Sequence, residues 1–177
     1  MTALLRAVRR QRGLTLEALA AQTGLTKSYL SKIERRQSTP SIAVALKVAR
    51  ALDVDVSRLF SDQTTDAKIS VDRAARRDAA GRYVALAAEV LGKSMSAFVV
   101  RPTESKAEDP GPVHTGQEFV FVHTGTVELQ YGDQTITLAA GDSAYFDASV
   151  SHRFRAIGAP RAEVVVVVAN DPGGARR

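Results

Sequence analysis

The sequence predicts two domains of different fold class, an N-terminal bundle of α-helices followed by a C-terminal domain of β-strands. Up to about residue 60, apolar residues recur at helical spacing, three or four residues apart. From Tyr83 onward, short apolar runs are separated by Gly, Pro and Asp, which is typical of strands joined by turns. The predicted fold class is therefore a multi-domain α plus β protein.

Charge separates the same two parts of the chain, whose net charge is +5. Residues 1–62 carry 11 Lys and Arg against 5 Asp and Glu, a balance of +6, whereas residues 63–177 carry 13 against 14, a balance of −1. A basic module joined to a neutral one indicates a polyanionic partner for the basic module. A solvated surface with a chance imbalance would show the same distribution, so the choice between the two depends on the helices.

Composition excludes several classes of protein. The chain has no cysteine, which excludes a disulfide framework, a thiolate metal site and a cysteine nucleophile. Its apolar runs stay well short of the ~20 residues that a membrane-spanning helix needs. Arg6, Arg9 and Arg10 interrupt the N-terminal segment, unlike the apolar core of a secretory signal peptide. We therefore expect a cytoplasmic protein with no membrane partner.

The first domain is predicted to be a bundle of five short helices. Their stripes of apolar residues should form its core, and short side chains with a hydroxyl group are expected to cap helix N-termini. Proline is favoured at the first position of a helix because its fixed φ suits that position. The expected starts, in chain order, are Thr2, an N-cap at Thr15, an N-cap at Thr26, Thr39 with Pro40 at the first helical position, and Val56.

Helices two and three carry the pattern of a helix-turn-helix motif. Ala20 is small where two helices cross, Gly24 follows four residues later in the turn, and Leu30 and Ile33 anchor the next helix to the core. With its flanking helices, this stretch of residues 3–61 resembles the phage-repressor (XRE) type of helix-turn-helix domain. The resemblance implies that helix three enters the major groove of double-stranded DNA. The alternative is a plain helical bundle.

The outward face of helix three and the residues after it are polar and contain no acidic residue. The DNA-binding candidates are Lys27, Ser28, Ser31, Lys32, Arg35, Arg36 and Ser38. The resemblance places Lys27, Ser28 and Lys32 at base-reading positions, where Lys donates to guanine and Ser bonds either type of base. The candidates from residue 35 onward are better placed for phosphates.

Glu34 is the only acidic residue in this basic segment, and it would repel DNA if it were exposed. Arg9 and Glu34 match the positions of an ion pair in the phage-repressor type of domain. The resemblance therefore implies that Glu34 turns inward toward Arg9 and fixes helix three relative to helix one.

A polar segment, residues 61–66, is expected to be a hinge, and residues 69–71 could form a first short strand. Residues 73–82 are compatible with a loop or a helix. The predicted boundaries are 1–62 for the helical domain, 63–80 for the linker, 81–170 for the β-domain and 171–177 for a tail. The predicted strands are Tyr83–Ala88, Met95–Arg101, Glu118–His123, Thr126–Tyr131, Gln134–Leu138, Ser143–Phe146, His152–Ile157 and Glu163–Ala169, which suggests a sandwich or barrel.

Two segments of the second domain have motif spacing. They are HTGQEFVFVHTG, from His114 to Gly125, and GDSAYFDASVSH, from Gly141 to His152. Together they resemble the two cupin motifs, which implies a β-barrel or jelly roll with a metal site. Two positions depart from the family: Pro112 stands where the first histidine ligand would be, and Asp147 stands where the second motif has proline.

The ligand set that the resemblance leaves is His114, Glu118 and His152. Two imidazoles and a carboxylate can hold Fe, Mn, Ni or Zn with open coordination positions. On a flat strand, residues four apart lie ~13 Å from each other, so Gly116 is expected to supply a bend. The alternative is an empty or organic-ligand pocket, and His123 is expected to lie on the surface.

These features predict a sequence-specific transcriptional regulator, a homodimer that binds DNA and senses a small-molecule effector. No catalytic or organic-cofactor residue is assigned, and the protein is not expected to be an enzyme. The alternative is a mononuclear non-haem iron enzyme of the hydroxypropylphosphonate epoxidase type, whose ligand segment HTGQEF resembles. In that family a lysine of the helical domain reaches the active site. The nearest positions here, Arg12 and Gly13, are not lysine, and the complete basic stripe on helix three also favours the regulator.

Overall fold

A computed structural model of the chain describes residues 2–35, 37–38, 40–54, 56–59, 68–74, 81–90, 92–104, 113–158 and 161–169. The chain folds into two compact units. The first comprises Met1–Val71 with Ala87–Lys93, and the second comprises Asp72–Leu86 with Ser94–Arg177. Among the helices in these ranges, none is long and apolar enough to cross a membrane.

The described residues of the first unit form four α-helices and one short 3-10 turn. The helices are α1 (Thr2–Gln11), α2 (Leu16–Thr23), α3 (Lys27–Glu34) and α4 (Ile42–Ala51), and the 3-10 turn is Val56–Leu59. The prediction of five helices is therefore wrong for the fifth, because Val56–Leu59 forms a 3-10 turn and not an α-helix. A segment of four residues is only just long enough for one turn, and i→i+3 hydrogen bonding is typical of such short pieces.

The predicted start of the fourth helix is also wrong. The helix begins at Ile42, not at Pro40, because Ser41 caps it: the Ser41 hydroxyl accepts a hydrogen bond from the Val44 backbone at 3.3 Å. Pro40 instead lies buried before the helix, and Thr39 lies outside the described residues.

The caps of the two central helices are those that the sequence predicts. The hydroxyl of Thr15 accepts a hydrogen bond from the Ala18 backbone at 3.0 Å, and that of Thr26 accepts one from the Tyr29 backbone at 3.1 Å. Gly24, between these helices, has a φ of 67°. This left-handed conformation costs a residue with a Cβ more than it costs glycine, so the turn that sets the angle between α2 and α3 depends on Gly24.

The second unit contains all eight predicted strands. They are β1 (Tyr83–Leu86), β2 (Met95–Val100), β3 (Gln117–Thr124), β4 (Thr126–Tyr131), β5 (Gln134–Ala139), β6 (Ser143–Asp147), β7 (His152–Ala156) and β8 (Glu163–Ala169). Residues 69–71 do not form the additional strand considered above, and Ile69 and Val71 are exposed.

These strands form two antiparallel sheets, and within the described part of the domain they do not close into one barrel. The first sheet has the order β1-β2-β8-β3-β6, and the second has the order β5-β4-β7. Alternate residues of β3 and β8 are buried, so these strands place one face toward the core. The core residues are Phe98, Val120, Val122, Val164, Val166 and Val168 from the first sheet and Val127, Leu129 and Ala156 from the second.

Candidate nucleic-acid interface and candidate metal centre

Helix α3 has one buried face and one exposed polar face. Leu30 and Ile33 are 0% and 1% exposed, so they hold the helix against the core. The candidates on the opposite face are accessible: Lys27, Ser28, Lys32 and Arg35 are exposed, whereas Ser31 and Ser38 are half-buried. Arg36 lies outside the described residues. The helix thus presents donors and cations in one continuous stripe.

Two of these candidates have partners that the sequence did not predict. The Lys27 ammonium pairs with the carboxylate of Glu17, and both side chains are about 60% exposed. The hydrogen bond from Lys27 is the largest cause of the lowered pKa of Glu17. The Arg35 guanidinium donates to the backbone carbonyl of Ser31 at 3.2 Å. The exposed Lys27–Glu17 pair occupies one of the three donors of the Lys27 ammonium.

Glu34 turns away from this polar face and forms the predicted ion pair with Arg9. Nε of Arg9 lies 2.7 Å from Oε1 of Glu34, and a second guanidinium nitrogen lies 3.2 Å from Oε2. The third guanidinium nitrogen donates to the carbonyl of Leu14 at 2.7 Å. The pKa of Arg9 is raised, mainly by the hydrogen bond to Glu34 and against the effect of burial. The pair therefore removes a negative charge from the polar face of α3.

The predicted metal ligands meet between the two sheets. Glu118 belongs to β3 of the first sheet, His152 begins β7 of the second, and His114 precedes β3. Nε2 of His114 lies 2.6 Å from Oε1 of Glu118, and Nε2 of His152 lies 3.4 Å from the same oxygen. All three side chains are at most 5% exposed, and their ligand atoms lie within 4.8 Å of one another.

Gly116 supplies the bend that brings His114 back to Glu118. Its φ is 101°, and a Cβ at this position would lie 3.2 Å from the carbonyl oxygen of Ala169. The backbone of Ala148 holds the bent segment from both sides. The His114 amide donates to the Ala148 carbonyl at 3.0 Å, and the Ala148 amide donates to the Gly116 carbonyl at 2.9 Å. The expected role of Gly116 is therefore confirmed.

Backbone carbonyls orient both imidazole rings. Nδ1 of His152 lies 2.8 Å from the Val150 carbonyl, and Nδ1 of His114 lies 3.2 Å from the Thr115 carbonyl. A carbonyl only accepts, so Nδ1 of each ring donates to it, and Nε2 of each ring is directed at Glu118, to which it donates when it also carries a proton. This arrangement suits metal ligation, in which the second ring nitrogen donates to a fixed acceptor.

The site is also electrostatically coupled. Burial acts to raise the pKa of Glu118, but hydrogen bonds from His114 and His152 outweigh it and lower this pKa. Burial acts to lower the pKa of His152, but the hydrogen bond and charge of Glu118 outweigh it and raise this pKa. The three donors are those that Fe, Mn, Ni or Zn accept, and their atoms are close enough to share one ion. The residues present therefore fit a divalent metal.

A cluster of aromatic side chains that the sequence did not predict contacts His152 through Phe146. The Phe146 ring lies 5.1 Å from the His152 ring, 5.3 Å from that of Tyr131 and 6.4 Å from that of Phe154. The position of one of these aromatic residues follows from strand pairing, because Tyr131 on β4 lies directly opposite His152 on β7. The sequence alone does not show this register.

The departures from the cupin motifs have different outcomes. Pro112 lies outside the described residues. Asp147 caps a turn: its carboxylate accepts a hydrogen bond from the Ser149 backbone at 2.8 Å. Hydrogen bonding by Ser149 lowers the pKa of Asp147. His123 is exposed at the end of β3, as predicted.

Comparisons with known proteins agree with both halves of this description. Residues 5–59 match the helix-turn-helix family and residues 99–168 match the cupin domain family. The chain is 28% identical to the HTH-type transcriptional regulator SutR of Escherichia coli K12 over 156 aligned residues. The alignment covers 88% of this chain and 86% of SutR.

Two solved structures align with most of the chain, and the first of them has the same fold. A transcriptional regulator of the helix-turn-helix family from Vibrio cholerae has a TM-score of 0.61 at 23% identity, covering 94% of this chain and 93% of that one. Hydroxypropylphosphonic acid epoxidase from S. wedmorenis has a TM-score of 0.43 at 21% identity, covering 94% and 95%. The second similarity is too low to bear on activity. The chain therefore joins a helix-turn-helix domain to a cupin domain, and over most of its length it is similar to a transcriptional regulator.

Proposed function

We propose that this regulator binds a specific DNA sequence through α3. The observation that carries the proposal is the separation of charge on this helix. Its one acidic residue, Glu34, is buried against Arg9, while Lys27, Ser28 and Lys32 face outward. This face therefore offers donors to base edges without an acidic side chain of its own in the groove. Arg35 and Ser38, where the helix ends, are placed to contact phosphates, and Arg36 is proposed with them from the sequence.

Selection of binding sites from random DNA tests this assignment. The double variant Lys27→Ala, Lys32→Ala should lose its preference for the selected sequence, since each base contact is worth about 1–3 kcal/mol of discrimination. Weaker, salt-sensitive binding should remain because other cations still neutralise phosphates. The matched control is Lys47→Ala, Arg50→Ala, which removes the same charge from exposed positions of α4. A double variant of α3 that selects the wild-type sequence would contradict the proposal.

We further propose that the cupin domain binds one divalent metal through His114, Glu118 and His152 and senses a small-molecule effector there. The three donors leave coordination positions open, and a bound metal would supply these positions to an effector with oxygen or nitrogen donors. Phe146 and Tyr131 offer apolar surface beside the site for the rest of such a molecule.

Calorimetry on chelator-treated protein tests the metal site. We expect one site per chain for Zn or Mn in the wild type and no binding in His152→Ala. The control is His123→Ala, which removes an exposed histidine and should retain the site. Equal binding by all three proteins, or none by the wild type, would leave only an organic-ligand pocket.

We propose a homodimer as the active form. A helix-turn-helix dimer reads two half-sites about 34 Å apart, so each protomer supplies one α3. Two copies double the number of base contacts and relate the symmetry of the operator to that of the protein.

An iron-dependent oxidase is the second candidate, because two histidines and one carboxylate also form the ligand set of non-haem iron oxygenases. Arg12 stands near the position of the lysine that reaches the active site in the epoxidase family, and here it donates to the carbonyl of Asp53 at 2.7 Å. Oxygen consumption by the iron-loaded chain with a hydroxyalkylphosphonate separates the two candidates. We expect none beyond that of His152→Ala.

A further inference from the structure

The ion pair between Glu17 and Lys27 connects the first turns of the two helices of the helix-turn-helix motif. Lys27 is the first residue of α3, and Glu17 is the second residue of α2. Both side chains are about 60% exposed, and an ion pair in such a position adds little to stability because water and salt screen it. Stability alone therefore does not account for the pair.

The position of Lys27 is electrostatically unfavourable for the helix that carries it. The N-terminus of a helix has a partial positive charge, so a cation in the first turn destabilises the helix and an anion stabilises it. The first turn of α3 contains no acidic residue, whereas the first turn of α2 contains Glu17. The carboxylate of Glu17 thus supplies the negative charge that the start of α3 lacks. A cation kept at this end of a helix and neutralised from a second helix indicates a role in binding.

Glu17 is the fixed member of the pair and Lys27 is the flexible one. Besides the hydrogen bond from Lys27, which is the largest cause, hydrogen bonds from its own backbone amide and from the Thr15 hydroxyl lower the pKa of Glu17. The carboxylate is therefore ionised at neutral pH and is held at the start of α2 by groups other than Lys27. The Lys27 ammonium lies at the end of a four-carbon chain with many rotamers. The carboxylate of Glu17 consequently sets the position of the ammonium.

We propose that Glu17 is a positioning residue that directs Lys27 to a base edge and away from the DNA phosphates. The ammonium has three donors, and the two that Glu17 leaves are available to O6 and N7 of guanine. A move of Lys27 to a phosphate would only exchange one anionic partner for another, and it would leave the carboxylate of Glu17 beside the DNA without its cation. The inference rests on the proposed function, because it assumes that α3 reads bases.

Removal of the carboxylate should have two effects of opposite sign. Glu17→Gln should lower discrimination at the base pair that Lys27 reads, because the released ammonium can contact a phosphate instead. The same variant should bind nonspecific DNA more tightly, since it removes a negative charge and adds a phosphate contact. A purely structural role of Glu17 would weaken specific and nonspecific binding together. The opposite signs therefore separate positioning from stability.

Fluorescence anisotropy over a series of salt concentrations tests the proposal on three duplexes. They are the selected sequence, the same sequence with one base pair changed, and a nonspecific sequence. The changed base pair is the one at which Lys27→Ala loses discrimination. The wild type should discriminate there about 5- to 150-fold, and Glu17→Gln should reduce this ratio about threefold or more. On the nonspecific duplex, Glu17→Gln should steepen the slope of log K against log salt by about 0.9, which corresponds to one added phosphate contact.

The matched control is Asp53→Asn. It removes an exposed carboxylate of the same unit that pairs with Arg12 and not with a residue of α3, so it should leave the ratio and the slope at their wild-type values. In a double-mutant cycle, Glu17→Gln should change neither quantity when Lys27 is already Ala. Thermal unfolding checks that each variant is folded.

A Glu17→Gln protein that retains the wild-type ratio, that binds nonspecific DNA more weakly, or that steepens the slope equally in the Lys27→Ala background overturns the proposal. These outcomes leave the sequence preference of the wild type intact. A wild type without sequence preference, or with a preference that does not depend on Lys27 at any base pair, would instead contradict the proposed function and this inference with it.

Discussion

Replacing Glu34 with Gln should destabilise the helical unit by removing one partner of a pair that is 9% and 6% exposed. The substituted side chain retains one oxygen as an acceptor, but its amide nitrogen then faces a guanidinium nitrogen, and two donors meet where a donor and a carboxylate oxygen lay 3.2 Å apart. Loss of a charged hydrogen bond with burial of the unpaired guanidinium costs about 1–3 kcal/mol. For a unit of this size, that corresponds to a fall of roughly 5–20 °C in the unfolding midpoint.

Thermal unfolding of the full chain followed by circular dichroism at the helical minimum measures this effect, since the α-helices lie in the first unit. The control is Glu17→Gln, which removes the exposed partner of Lys27 and should leave the midpoint close to that of the wild type. Combining Glu34→Gln with Arg9→Met in a double-mutant cycle isolates the coupling between the two side chains. A midpoint for Glu34→Gln equal to that of Glu17→Gln, or a coupling energy near zero, would refute the structural role of the pair.

Two further predictions concern the metal centre. Gly116→Ala should cost more than about 1 kcal/mol and weaken metal binding, because φ is positive and the new Cβ meets the carbonyl of Ala169. The control in calorimetry is Gly141→Ala, because Gly141 also has a positive φ, 94°, but a Cβ added there would have no atom within 4 Å. Equal metal affinity in both variants would contradict the reasoning. A bound metal should also join the two sheets. At about 100 times Kd it should add about 2.7 kcal/mol to the free energy of unfolding of the β-unit, in the wild type and in His123→Ala but not in His152→Ala. Unfolding midpoints of chelated and metal-loaded protein that coincide in the wild type would count against the site.

Local rules account for much of what the sequence predicted correctly. The caps at Thr15 and Thr26 depend on residues within one helical turn. The turn at Gly24 depends on the positive φ of that single residue. Alternation and turn residues located all eight strands for the same reason. The fourth helix was misplaced because Pro40 and Ser41 are both compatible with a helix start, and the local signal does not choose between them.

The sequence by itself determined that His114, Glu118 and His152 are the residues to consider as a metal site, because their spacing matches a motif. Only the tertiary structure decided that they converge. Glu118 and His152 lie on different sheets, and their 3.4 Å approach depends on how those sheets pack. The same holds for the Lys27–Glu17 pair. Each depends on side chains that are distant in sequence, and sequence periodicity shows which face of an element is apolar but not what lies against it.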